Sequence, residues 1–300
     1  MLVSIITTVY NRKKELIRLF KSLENQTDKE FEWIVVDDKS TDGTVEALKT
    51  LEKKKCSFKI RTIFKDKNEG KHIALNYAFD RVNGDVVIII DSDDVALPNM
   101  VEKTKKAWKK DDRLYDDNLA EITFERERKN GKPLRKIPDL EKRMNISAYR
   151  RINRLTGDFA ETFKAKILLN YRFPKFENEK FLSEQYIWAD LNGKYDGIFL
   201  DSPLYIAEYQ NDGLTLNSQL IQWNNPIGTL EVCKKMLPLE IKSTLDLKSL
   251  VKYIVYSFRN HVSIFKTIRN SNTRLSCVIM MIPSFLVYKS MDRKLRRKKC

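Results

Sequence analysis

The chain has 300 residues, 42% apolar and 10% aromatic, enough core-forming material for one large domain or two modest ones, which argues against a disordered chain. Its formal charge is +15, but Lys289 to Cys300 holds seven Lys or Arg against one Asp, so two-fifths of the excess sits in the last twelve residues. Four cysteines far apart, with no CxxC spacing, and two histidines argue against a Cys/His zinc site.

The first hundred residues alternate between two patterns. "LVSIITTVY" (2–10) is strand-like, and "KKELIRLFKSLEN" (13–25) puts Leu16, Leu19, Phe20 and Leu23 on one helical face. "FEWIVVDD" (31–38) is a second strand, followed by a helix that Thr41 or Asp42 can cap, with Val45, Leu48 and Leu51 inward. "FKIRTIF" (58–64) and "GKHIALNYAFDRV" (70–82) repeat the pair, and "DVVIIID" (85–91) is the fourth strand. Strands alternating with amphipathic helices predict right-handed βαβ units: a Rossmann-like α/β fold with a mainly parallel sheet and helices on both faces. Beyond Pro98, "LAEITFERERKNGKPL" (119–134) predicts a hairpin-like strand and a turn at Asn130-Gly131, and 193–209 suggests two short strands. From Pro226 the pattern is helical, with Ile254, Phe258, Val262 and Phe265 at helical spacing.

In parallel sheets of this kind ligands sit at the carboxyl ends of the strands. The four ends here carry Thr7, Thr8, Tyr10 and Asn11; then Asp37, Asp38, Ser40 and Asp42; then Asp66, Asn68, Gly70 and Lys71; then Asp91, Ser92, Asp93 and Asp94. Such acids repel one another unless a cation lies among them. A nucleotide diphosphate with a divalent metal suits this set. Tyr10 can stack on a base, and Asp91 and Asp93 can divide ribose and metal between them. Mg²⁺ or Mn²⁺ takes oxygen ligands and leaves positions for phosphate. Taken singly, each piece has a plainer explanation: a DxD is also an acidic turn, Asp42 a helix cap, and Lys71 and His72 solvated first-turn residues.

Together, "SIITTVYNR", "VVDDKSTDGT", "NEGKHIALNYAF" and "IIIDSDD" resemble, in order and spacing, the nucleotide-sugar half of family 2 glycosyltransferases of GT-A type. The resemblance is strong over 2–98 and continues to about 217. It implies a glycosyltransferase domain over 1–217, with a nucleotide-sugar half (1–98) and an acceptor half (99–217), then a helical C-terminal region (218–300). It implies that Thr8 and Tyr10 hold the base, Asp38 binds its edge, and Lys71 and Asn76 border the nucleotide. Asp91 would contact ribose and Asp93 a Mn²⁺ or Mg²⁺ ion bridging the diphosphate. The general base of such inverting enzymes is commonly the Asp of a Glu-Asp pair. Here the pair is Glu184-Gln185, so Glu184 is the expected base and Glu179 the reserve. Asp158 is a candidate for lining the sugar pocket, and 208–217 resembles a loop near the diphosphate. Processive members carry Gln-x-x-Arg-Trp and several spans; "QLIQW" (219–223) lacks the Arg, so one sugar per encounter is expected.

The implied partners are a UDP-type donor and a saccharide acceptor, lipid-linked or free, in envelope or capsule synthesis. The fourteen-residue "LSCVIMMIPSFLVY" (275–288), interrupted by Pro283, falls short of the roughly 18–20 residues of a span. With the basic run after it, 275–300 is expected to touch an anionic membrane face peripherally. "MLVSIITTVYNRKK" has no signal-peptide pattern, and the dispersed cysteines fit a reducing compartment, so a cytoplasmic location is expected. Two other classes fit the sequence less well. A sugar-phosphate nucleotidyltransferase wants a Gly-rich loop after the first strand, which "TTVYNRKKE" lacks. A nucleic-acid binder wants a basic face, whereas these strand ends are acidic.

Overall fold

The computed structural model describes residues 1–138, 140–155, 157–208 and 217–297. In chain order the elements are β1 (Val3–Val9), α1 (Lys13–Glu24), β2 (Phe31–Asp37), α2 (Thr44–Lys53), β3 (Lys59–Phe64), α3 (Lys71–Phe79), β4 (Val86–Ile89), β5 (Val95–Ala96) and α4 (Met100–Lys109). They continue with β6 (Leu119–Phe124), β7 (Arg143–Asn145), α5 (Ile146–Ile152), β8 (Ala160–Lys164), α6 (Ala165–Leu168), α7 (Gln185–Lys194), β9 (Asp196–Leu200) and β10 (Tyr205–Ile206). The last are α8 (Ser218–Asn224), α9 (Pro226–Lys235), α10 (Thr244–Arg259), α11 (Ile264–Arg269) and α12 (Arg274–Arg297).

Eight strands form one sheet in the order β3-β2-β1-β4-β8-β6-β9-β7. β1 pairs in parallel with β2 and β4, β2 with β3, and β6 with β9, while β8 and β7 run antiparallel to their neighbours. The strands arise where β-branched and aromatic residues run unbroken; all seven residues of β2 are buried, as suits a strand covered on both faces. On one face Leu16, Leu19, Phe20 and Leu23 of α1 join Val3, Ile5 and Val9 in the core. On the other, α3 packs over β1 and β2, above Ile6, Ile34 and Val36, which are fully buried. The α/β fold, mainly parallel sheet and helices on both faces are as expected, and helices dominate the C-terminal part.

The turn at Asn130-Gly131 forms as expected: the Gly131 N–H donates to the Arg128 carbonyl, and the Arg128 and Leu134 N–H groups donate to Lys132 and Arg126 across a short antiparallel bridge of Glu127 with Pro133, while β6 itself lies between β8 and β9. Two expectations change. Ile254, Phe258, Val262 and Phe265 do not share one helix. Asn260 caps α10, and the Ser263 hydroxyl accepts from the Lys266 N–H to start α11, which leaves Phe265 73% exposed. Finally, Pro283 does not interrupt α12. The helix runs through it and is long and apolar enough to cross a membrane by length and composition alone.

Residues 1–174 with 190–208 form one compact unit, and 175–189 with 217–297 another. The second unit has its own core, including Trp223, Leu250, Tyr253, Ile254, Cys277 and Leu295. In it Trp223 of "QLIQW" is a buried core residue, with Arg259 over its ring at 5.3 Å.

Candidate active site at the strand ends

β1 lies between β2 and β4, so strand order reverses beside it. Connections leave a parallel sheet in opposite directions at such a point and open a crevice beyond the carboxyl ends. Four expected residues belong to these ends. Thr8 is half-buried, Tyr10 is 48% exposed, and Asp91 and Asp93 follow β4. The turn between β1 and α1 is tied to the turn after β2. The Asn11 side chain accepts the Thr41 N–H, the Ser40 hydroxyl accepts the Asn11 N–H, and Asn11 takes a left-handed φ of 51°.

The three acids of "DSDD" separate. Asp91 is 2.5 Å from Lys71 Nζ; partial desolvation opposes its ionisation although the side chain is 45% exposed, and Lys71, assisted by Arg126, holds its carboxyl below the usual range. Asp94 is buried, accepts from Arg126 at 2.8 Å and from the Glu208 N–H at 3.1 Å, and anchors the strand end. Burial, with repulsion from Asp91 and Asp93, still pushes its carboxyl up to about 7 against the pull of Arg126. For Asp93, burial and the Asp91 charge raise the carboxyl above its usual range, and Arg12 and Lys71 offset only part of this. Its backbone carbonyl accepts from Arg18, whose other nitrogen pairs with Glu208.

The other expected residues are engaged inside the chain. Asp38 is 3% exposed; one oxygen accepts from Lys65 Nζ and the Glu69 N–H, the other from the Gly70 N–H. Its carboxylate thus orders the turn into α3, where Gly70 adopts φ 93°, a conformation open to glycine. Asn76 exchanges two hydrogen bonds with the backbone of Phe173 and clasps that segment to α3. Asp42 accepts from the Thr44 N–H and hydroxyl and from the Lys13 N–H, the first residues of α2 and α1, but the N-cap of α2 is Gly43, at φ 86°, and not Thr41 or Asp42 as expected. His72 is not solvated but 2% exposed, edge-on to Phe173.

The two candidate bases belong to the second unit. Glu184 is half-buried and its carbonyl accepts from Ile187 and Trp188, which places it at the start of α7. Glu179 accepts the Ile227 and Gly228 N–H groups at 2.6 and 2.7 Å, so it fills the N-terminus of α9. The 209–216 part of the loop expected near the diphosphate lies outside the described residues. Asp158 is 59% exposed, 3.9 Å from Arg126.

The sequence profile of Glycosyl transferase family 2 matches residues 4–167, more than half of the chain. The chain belongs to glycosyl transferase family 2. It is 27% identical over 252 residues to the GalNAc(5)-diNAcBac-PP-undecaprenol beta-1,3-glucosyltransferase of Campylobacter jejuni, which covers 81% of this chain and 76% of that relative. Over 102 residues it is 36% identical to the putative teichuronic acid biosynthesis glycosyltransferase TuaG of Bacillus subtilis, 34% of this chain and 40% of that one. Among solved structures, S. aureus TarS 1–349 superposes with a TM-score of 0.66 at 17% identity, covering 99% of this chain and 92% of that one. As a family 2 member the protein is a transferase.

Residue-by-residue reading missed the cations that make this family 2 site stable. Arg126 stands in "FERERK" and Lys65 in "FKDK", and sequence reasoning assigned neither a role. Both are buried, and each pairs with an acid distant in sequence, so no local signal marked them. The indirect signal was the acids themselves, which required cations nearby.

Proposed function

We propose that the protein transfers one sugar per encounter, with inversion, from a UDP-type donor to a lipid-linked saccharide acceptor in envelope or capsule polysaccharide synthesis. One observation carries this assignment: at the point of strand-order reversal three carboxylates face two paired cations, Lys71 and Arg126, beside an exposed aromatic, Tyr10. Asp93 stays under-neutralised, since Arg12 and Lys71 offset only part of the rise in its carboxyl, and the carboxylate donors are all oxygens, which fits Mn²⁺ or Mg²⁺ better than a soft metal. Among the described residues no group of three or more His, Cys, Asp or Glu is placed to hold an ion.

In this proposal Asp93, with Asp91, holds the divalent ion. When bound, the ion supplies Lewis-acid stabilisation of charge on the departing diphosphate. Tyr10 stacks on the base and Thr8 offers it a hydrogen bond. Asp91 serves the ribose and keeps the Lys71 ammonium in place. Asp38 acts at one remove, through the Gly70 N–H that sets the start of α3. Glu184 takes the proton of the acceptor hydroxyl, since Glu179 is occupied in capping α9. The Campylobacter jejuni relative, whose name specifies an undecaprenol-linked substrate, supports the lipid-linked acceptor. A TarS structure holding UDP-GlcNAc, with a TM-score of 0.63, shares this fold with such a donor bound.

Thermal unfolding with UDP, GDP and UDP-sugars, with and without Mn²⁺, tests the donor. A ligand at about a hundred times its Kd adds about 2.7 kcal/mol of stability. UDP with Mn²⁺ should give the largest shift. Asp93→Ala should abolish metal-dependent UDP release; a variant that kept both turnover and metal dependence would end the metal assignment.

A further inference from the structure

The helix α12 has two opposed faces. Cys277 and Ser284 are fully buried and Leu295 is 4% exposed, while Met281, Tyr288 and Met291 pack on the core formed with Tyr253 and Ile254 of α10. The other face carries Leu275, Val278, Ile279, Ile282 and Leu286, all 52% to 76% exposed. Residues 275, 279, 282 and 286 recur at i, i+4, i+7 and i+11, the spacing of a single stripe. α11 packs against α12 and adds Ile264 and Phe265, 54% and 73% exposed. Seven large apolar side chains on two adjoining helices exceed the scattered apolar residues of an ordinary surface. Exposed basic residues frame them: Lys266 and Arg269 on α11, Arg274 before the stripe, and Lys289, Arg293 and Lys294 after it. Lys289 and Arg293 continue the face of Ile282 and Leu286, and Asp292 is the only acid from 264 to 297.

We propose that α11 and α12 dock this unit on an anionic lipid surface, with α12 lying in the plane of the interface rather than crossing the bilayer. Charge selects the occupant. A basic frame around an apolar stripe matches anionic headgroups over acyl chains, whereas a second copy would set the same positive charges against each other. Packing selects the orientation. Length and apolarity alone would let α12 span, but a span would pull Cys277, Met281, Ser284 and Leu295 out of the core they share with α10. In-plane docking buries the exposed stripe and leaves that core intact. The sequence pointed to 275–300, the apolar stretch with its basic tail; the structure adds α11 and assigns the apolar contact to one face of α12. The inference does not rest on the transferase assignment, because its readout is lipid binding.

The test is flotation of the full chain with vesicles of phosphatidylglycerol and phosphatidylcholine, against phosphatidylcholine alone. The protein should float with the anionic vesicles and be released by alkaline carbonate. Ile282→Gln with Leu286→Gln should weaken binding at least tenfold. Lys289→Gln with Arg293→Gln, outside the core, should weaken it roughly tenfold and reduce its sensitivity to salt. Both variants should keep the wild-type unfolding midpoint and UDP response. Four results would overturn the proposal: no flotation of the wild type, unchanged flotation of both variants, resistance to carbonate extraction, or a lipid-free dimer that the Ile282/Leu286 variant dissociates.

Discussion

Glu161→Gln tests the electrostatics of the sheet interior. Glu161 on β8 lies 2.9 Å from Arg150 of α5, and Glu121 on β6 lies 3.6 Å from the same guanidinium nitrogen. One cation therefore serves two carboxylates, Glu121 fully buried and Glu161 partly buried. Burial first, then the Glu121 charge, pushes the Glu161 carboxyl from 4.5 up to about 7, against the pull of Arg150. A carboxyl raised in the folded state keeps its proton where the unfolded chain has lost it. The contribution of Glu161 to stability is therefore fully present below about pH 4.5, declines as pH rises from about 4.5 to about 7, and is gone above that window. At about 1.4 kcal/mol per pH unit the loss is on the order of 3 kcal/mol. Glutamine keeps the shape and an acceptor for Arg150 but does not titrate. In urea unfolding from pH 5 to 8, the variant should match the wild type near pH 5 and exceed it by about 2–3 kcal/mol at pH 8. Parallel profiles, displaced by a constant, would refute the reasoning.

Lys65→Met should destabilise the protein by about 3–5 kcal/mol in the same assay, because Asp38 would be left buried with backbone donors alone. Tyr10→Ala should raise the Kd for UDP about three- to tenfold, measured by calorimetry, with stability unchanged because the ring is half exposed. Glu184→Gln should lower kcat roughly a hundredfold or more without changing UDP affinity. Glu179→Gln should instead lower stability by about 1–2 kcal/mol through weaker capping of α9 and leave kcat nearly intact; a reversed pattern would exchange their roles.

Much of this protein was legible in its sequence because the decisive signals are local. The leucine spacing of α1, the β-branched run into Asp91 and the strand–helix alternation depend on neighbours a few positions apart, and these determined the parallel half of the sheet and the polar groups at its ends. What the sequence could not determine is which charges meet. Asp94 and Arg126 lie 32 residues apart, Asp38 and Lys65 27, and Asp91 and Lys71 20. Only the tertiary structure paired them, and the pairing divided a row of similar acids into an anchor, a positioning group and an under-neutralised carboxylate. The same holds for α12. Its apolar residues were plain in the sequence, but the face turned outward was decided by the core already filled against α10.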